Sequence, residues 1–530
     1  MNERTWFKRT RQVGFLWKSS AALMGIMLVL GIAISFLNAN RMHTFQDLLA
    51  TPVRVDEFEL ELDPFQNPHT DSNRIVKALA ESLSSESPFY EKLEEVSFLL
   101  YYFPPHHPIT LPPLGTLSAE QQRIAAGLTA ACAEPESAAA FRPLEMLAAS
   151  PNAPPDANYA VALALENRET NMEVIEALLR EIDLHSSPHA RERLVGAFLR
   201  LKKYDALEAL GNDPEFKEFI TPNILQEIAR ARSDWPNIVK YHFASAYGGM
   251  HPTMALLALL SGLVWAIILI RFNGSFSNVW IYSVPALVLG ALSAHATLFC
   301  IFWLEGRFGM AFGTQIYQQL IYCLGIGLRE EGMKLLLFVP LIPFLWKRTD
   351  LEILTVAGLV GLGFAMEENI NYFEATAGLG AMARFATANF LHLALTAMCG
   401  LTLTRALVHR GEDIQHALVT FVLAVAIHSF YNAFLMVPAW VDYSWLTYTV
   451  FVLMGYQYFG WLRHLRDEWN DPISITATFT YGIILVTGFT FILAAWDLGP
   501  VLAIQAVVGE AIGIAIILVL FYREIPETIE

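Results

Sequence analysis

Residues 315–345 read QIYQQLIYCLGIGLREEGMKLLLFVPLIPFL. At about 1.5 Å of rise per residue, such a helix outruns a hydrocarbon layer roughly 30 Å thick. The run therefore reads as a membrane span, long enough to be tilted or broken. Yet Arg329, Glu330, Glu331 and Lys334 stand near its middle. Charged side chains at that depth are costly and belong where they face a bundle interior, a cavity or one another. This one stretch makes the fold a membrane bundle with a polar centre.

The flanking sequence repeats the apolar signal. Spans are expected at 253–272, 280–304, 352–374, 383–407, 414–436, 444–462, 475–496 and 500–522. A further apolar stretch, Ala21 to Leu37, follows Arg4, Lys8, Arg9, Arg11 and Lys18. It is too long for the apolar region of a cleaved signal peptide and ends without a small-residue cleavage site, so it reads as an uncleaved anchor. The expected fold class is thus an all-α polytopic membrane protein of about ten spans. Composition agrees: 54% of the 530 residues are hydrophobic and 16% charged, against roughly 25% charged in soluble domains. An ordinary soluble enzyme is excluded.

Charge divides the chain. Net charge is +4 over residues 1–40, −13 over 41–250 and −7 over 251–530. No face concentrates positive charge, so nucleic acid is not an expected partner. Lys and Arg accumulate on the cytoplasmic side of a membrane. With ten spans starting inside, Arg271, Lys347, Arg348, Arg405, Arg410, Arg463, Arg466 and Arg523 fall in the cytoplasm, and only Arg307 and Arg384 in short outer loops. The expected organisation follows: 1–20 a cytoplasmic basic N-terminus, 21–39 the anchor, 40–250 an extracytoplasmic domain, 251–523 a nine-helix bundle, and 524–530 a cytoplasmic tail.

Within 40–250, apolar residues recur at helical spacing, as in Val174, Ile175, Leu178, Leu179 and again Leu194, Val195, Phe198, Leu199. Ser186-Ser187-Pro188 and Gly211-Asn212-Asp213-Pro214 interrupt the pattern. Stacked helical hairpins of a solenoid kind are expected, although no strict repeat occurs. Phe58 to Asp63 alternates apolar and acidic residues like a short strand, and Pro104–Pro113 reads as a linker. Cys132 is the one cysteine of this block, so no disulfide staples it.

Four consecutive spans carry polar groups at mid-depth: Glu330, Glu331 and Lys334, then Glu368, Asn369 and Tyr372, then His392, then His428 and Asn432. Glu330 and Lys334 stand at i and i+4 and are expected to pair. Carboxylates and imidazoles gathered in one wet pocket suit the activation of water, with a glutamate as general base and an imidazole or Asn432 steadying an oxyanion. The same set would hold a divalent metal such as zinc on Glu368, His392 and His428. Residue types alone leave the two routes open. His295 and Glu510 lie in spans without obvious partners and read as structural.

The order Glu330-Glu331-x-x-Lys334, Phe364-x-x-x-Glu368-Asn369-Ile-x-Tyr372, Arg384 followed by His392-x-x-x-Thr396-Ala, and His428-x-x-Tyr431-Asn432 resembles the successive motifs of the PrsW family. These are intramembrane proteases related to the CAAX-prenyl-protease-like group, and the resemblance covers roughly 315–436. It implies catalytic roles for Glu330, Glu331, Glu368, His392 and His428, supported by Lys334, Asn369, Tyr372 and Asn432. It also implies membrane-anchored protein substrates, such as the anti-sigma factors whose site-1 cleavage is linked to PrsW proteins, and a bacterial cytoplasmic membrane. CAAX-type relatives carry an arginine four residues after the second glutamate, whereas here Lys334 stands three after Glu331. Two readings from other classes compete: an ion-coupled transporter, since buried acids and histidines also form relays, and a catalytically silent envelope scaffold.

Overall fold

The computed structural model describes residues 9–37, 79–102, 116–273, 278–308, 312–443, 445–465 and 474–524, less positions 81, 86, 167, 169–170, 409–410 and 412. Arg4, Lys8, Arg410, Arg466, the Phe58–Asp63 strand and the Pro104–Pro113 linker lie outside these residues. Every regular element among the described residues is helical. The chain divides into two units, residues 1–48 with 249–530, and residues 49–248.

In the first unit the helices are α1 (Val13–Leu37), α2 (Pro252–Phe272), α3 (Trp280–Phe308), α4 (Ile316–Phe338), α5 (Asp350–Ala375), α6 (Ala381–Ala386), α7 (Ala388–Val408), α8 (Ile414–Met436), α9 (Leu446–Leu465), α10 (Ile475–Leu498), α11 (Pro500–Gly513) and α12 (Ala515–Glu524). Among the described residues, seven stretches are long and apolar enough to cross a membrane: α1, α2, most of α3, α5, α6 with α7, α8 and α10. The pair α11 and α12, bent by 54°, makes an eighth if it counts as one span. The expected ten add α4 and α9, which are 23 and 20 residues long. The charges of α4 keep it out of the apolar set. The 315–345 run is not one continuous helix: α4 stops at Phe338 and a 3-10 turn, Val339–Leu341, leads into the single helical turn Ile342–Leu345.

Packing in this unit centres on α5 and α7, which are buried along most of their lengths. Thr349 starts α5 with a capping box, its hydroxyl accepting from Glu352 N at 3.3 Å while Glu352 Oε2 accepts from Thr349 N at 3.1 Å. Small residues let spans approach where lipid gives no hydrophobic drive between them. Gly361 is one such point beside the polar cluster. A Cβ there would lie 2.2 Å from the carbonyl oxygen of His392, so the α5–α7 crossing fixes the height of that histidine. A second centre is aromatic. Trp265 on α2 donates Nε1–H to Phe385 O at 2.8 Å and packs against Phe385, Phe390, Phe479 and Phe521. The anchor helix α1 lies on α10, with Ser19 Oγ and Tyr481 OH 2.6 Å apart.

The other unit holds nine helices among its described residues, from Phe89–Tyr102 to Trp235–Gly248. They pack mainly on their sequence neighbours. Both polar breaks read from the sequence separate helices. At the first, Ser187 accepts from Ala190 N at 3.2 Å and Pro188 opens the next helix. Cys132 is buried in this unit's core. Glu181 is fully buried and accepts from Asp156 N at 2.8 Å and Asn158 N at 3.1 Å. Burial holds its carboxyl above the usual range although those two N–H groups pull the other way.

Replacing Gly361 with Val forces the α5–α7 crossing apart, at a cost of about 1–3 kcal/mol. Thermal unfolding in detergent should show a lowered midpoint for G361V and no loss for G460A, where an added Cβ meets nothing within 4 Å. Equal midpoints for G361V and wild type would contradict the crossing.

Candidate active site

The polar groups of α4, α5, α7 and α8 meet. Lys334 Nζ donates to Glu331 Oε1 at 2.6 Å and lies 2.9 Å from His392 Nδ1. His428 Nδ1 is 2.7 Å from the same Glu331 oxygen. Glu331 and Lys334 are both fully buried. Lys334 therefore pairs with Glu331 at i+3 and not, as the sequence suggested, with Glu330 at i+4. Both spacings share a helix face, and the deeper carboxylate, already facing two imidazoles, takes the cation.

These contacts assign the tautomers. Facing a carboxylate oxygen, His428 Nδ1 carries a proton, so the neutral ring presents a lone pair at Nε2. That atom is 3.5 Å from Glu330 Oε2, which is buried without a hydrogen-bond partner among the described residues. His392 is the reverse: Nδ1 accepts from the Lys334 ammonium, and Nε2–H points to Glu368 Oε2 at 3.2 Å. Phe364 seals this corner, with its ring centre 4.7 Å from Lys334 Nζ and 4.9 Å from the His392 ring centre.

Glu368 is the hub of a second cluster. Arg384, from the short helix α6, donates through one terminal nitrogen to Glu368 Oε2 at 2.6 Å and through Nε to Asn369 Oδ1. Asn369 in turn donates to Asn389 Oδ1 at 2.7 Å. The Arg384 guanidinium lies 3.7 Å from the centre of the Tyr372 ring. Asn432, one turn beyond His428 and half-buried, makes no hydrogen bond to this set among the described residues. Arg329 joins neither glutamate. Two of its nitrogens are buried without hydrogen-bond partners and its guanidinium lies 5.7 Å from the Tyr322 ring centre. Glu367 turns away from the cluster to His295, 3.2 Å off.

Three groups each bring one metal-ligating atom within 4.8 Å of the others: Glu330, His392 and His428. The expected set had Glu368 in the place that Glu330 takes in this group. Arg384 and His392 already occupy Glu368 Oε2, whereas Glu330 Oε2 is an orphan. The donors suit a divalent cation. Two acceptor atoms face each other at 3.5 Å, and ligands bound at about 2.1 Å around a tetrahedral zinc lie roughly 3.4 Å apart. His428 has the carboxylate behind its far nitrogen that metal-binding histidines commonly show, here Glu331. His392 Nε2 would join the set as the other neutral tautomer, with its proton moved to Nδ1 and Lys334 no longer donating there. Formal charge agrees: with neutral imidazoles, three acids face two bases, Lys334 and Arg384, and Glu330 is the acid without a base.

Arg384 and Asn389 are contributors to which the sequence reading gave no role. Arg384 stood in the quoted motif order but was placed as an outer-loop charge. It reaches Glu368 because the chain reverses through Gly378 and Gly380, both at positive φ, and no helical periodicity spans such a turn.

Residues 252–456 match the family model described as PrsW family intramembrane metalloprotease. The resemblance read from residues 315–436 lies within the matched segment, which also takes in α2, α3 and part of α9. Comparison with curated proteins and with solved structures gives no match.

Lys334→Met leaves Glu331 buried without its base, and such uncompensated burial costs about 3–5 kcal/mol. Adding Glu331→Gln removes the stranded charge. Unfolding midpoints should therefore fall sharply in K334M and recover in the double variant. Additive losses would contradict the pairing.

Proposed function

We propose that this chain, whose residues 252–456 carry the PrsW-type intramembrane protease segment, is an endopeptidase that cuts membrane-anchored proteins near the outer face of the membrane. The observation that carries the reading is Glu330 Oε2, buried without a hydrogen-bond partner among the described residues and 3.5 Å from His428 Nε2. Glu330, His392 and His428 would hold a divalent cation such as zinc, which supplies a polarised carbonyl and a more acidic water.

The chain's own groups do the rest. Glu330 Oε2 faces His428, and the other oxygen of that carboxylate takes the proton of the attacking water. Glu331 is a positioning residue: its Oε1 fixes the His428 tautomer and anchors Lys334, which in turn sets the His392 ring. Glu368 holds the far side of His392 and keeps Arg384 at the rim. Asn432, once substrate brings it closer, would donate to the oxyanion of the tetrahedral intermediate. The Gly361 contact under His392 keeps these groups at one height.

The topology that serves this reading has ten spans in a bacterial cytoplasmic membrane, with both termini in the cytoplasm and residues 40–250 outside. That domain would select or gate substrates, single-span proteins of the anti-sigma-factor type. Interspersed charges support the topology, and α4 and α9 complete the count.

Co-expression with a single-span substrate tests the proposal. Wild type should release a fragment cut near the outer membrane boundary, and Glu330→Gln or His428→Ala should reduce release by roughly 100-fold or more. Unchanged release in both variants would sink the assignment.

A further inference from the structure

We propose that Glu510, outside the segment matching the protease family, is a positioning residue for the active site and acts by capping the helix that carries Arg384. The inference rests on the function proposed above. Glu510 lies on α11, in a run of apolar residues, VLAIQAVVGEAIG. A carboxylate in such a span is kept only where it finds a partner. Its Oε1 accepts from Ala383 N at 2.9 Å, and the carboxylate accepts from Met382 N as well.

The local chain explains why α6 needs this acceptor. The first N–H groups of any helix lack intrahelical partners, and Ser, Thr, Asp or Asn before the helix commonly satisfy one of them. The residue before α6 is Gly380, at φ 85°, with no side chain to cap. A Cβ on Gly380 would lie 4.0 Å from Glu510 Oε1, an ordinary contact, so the glycine serves the turn at φ 85° and not the fit of Glu510. Glu510 supplies from another helix the cap that α6 does not carry itself.

From there the connection is short. Arg384 is the residue after Ala383. It donates to Glu368 at 2.6 Å, and Glu368 lies 3.2 Å from His392 Nε2. On the far side of α6, Trp265 holds Phe385 O at 2.8 Å. The helix is therefore pinned at both ends, and losing Glu510 alone frees the Arg384 end while Trp265 keeps the turn in place. The catalytic unit then includes α11, beyond the family segment.

The test uses the full-length chain with a single-span substrate in proteoliposomes, comparing wild type, E510A, E510Q, R384A and E510A/R384A. E510A should lower kcat roughly 10- to 100-fold, as loss of an outer-shell partner does, with KM changed less than about two-fold. E510Q should recover most of the rate, because its amide oxygen still accepts from Ala383. E510A should add no further loss to R384A. A wild-type rate in E510A, a loss confined to KM, or losses that multiply would overturn the proposal. Melting the same proteins gives a readout independent of cleavage: E510A should lower the midpoint of wild type and much less that of R384A, and equal drops would overturn it. If wild type fails to cleave but the melts interact in this way, the protease reading fails and the cap stands.

Discussion

The arrangement depends on one charge imbalance in a medium that tolerates none. Inside the bundle, a bare carboxylate costs far more than in water, and three acids meet two bases. Lys334 neutralises Glu331 and Arg384 neutralises Glu368. Glu330 is left facing an imidazole nitrogen whose proton, in the neutral ring, sits on the other side. A positive species between Glu330 and His428 satisfies both atoms. The ion pairs around it can be understood as what prevents the neighbouring charges from supplying that species themselves.

That imbalance is held by backbone geometry as much as by side chains. His392 cannot sink further toward α5, because its carbonyl rests against Gly361. Arg384 cannot drift from Glu368, because α6 is tied to α2 through Trp265 and to α11 through Glu510. Helices far apart in sequence thus fix a few heavy atoms, which is what an electrostatic site needs if it is to be organised before the substrate arrives.

Much of this was legible in the sequence, for reasons that can be named. Charged and imidazole groups at mid-depth of consecutive apolar runs have few places to go but toward one another, so the meeting of Glu331, Lys334, Glu368, His392 and His428 followed from the cost of lipid exposure alone. Pairing within the cluster did not follow. Helical spacing allows Lys334 either glutamate, and only the position of α8 decides for Glu331. The choice of Glu330 over Glu368 as the open carboxylate required knowing that Arg384 returns through two left-handed glycines. Glu510 was read as structural because its partners are backbone N–H groups, which no residue pattern advertises. In the 40–250 block, helical periodicity and the Ser187-Pro188 break were readable, whereas the burial of Glu181 against the turn at Asp156 was not.

The most direct measurement is a cobalt(II) titration of the purified full-length chain, followed by visible absorption. The account predicts one saturable site with the intense bands of a nitrogen- and oxygen-bound ion, abolished in both E330Q and H428A. Absence of saturable binding, or binding that survives both substitutions, would contradict the claim that Glu330 and His428 share a cation.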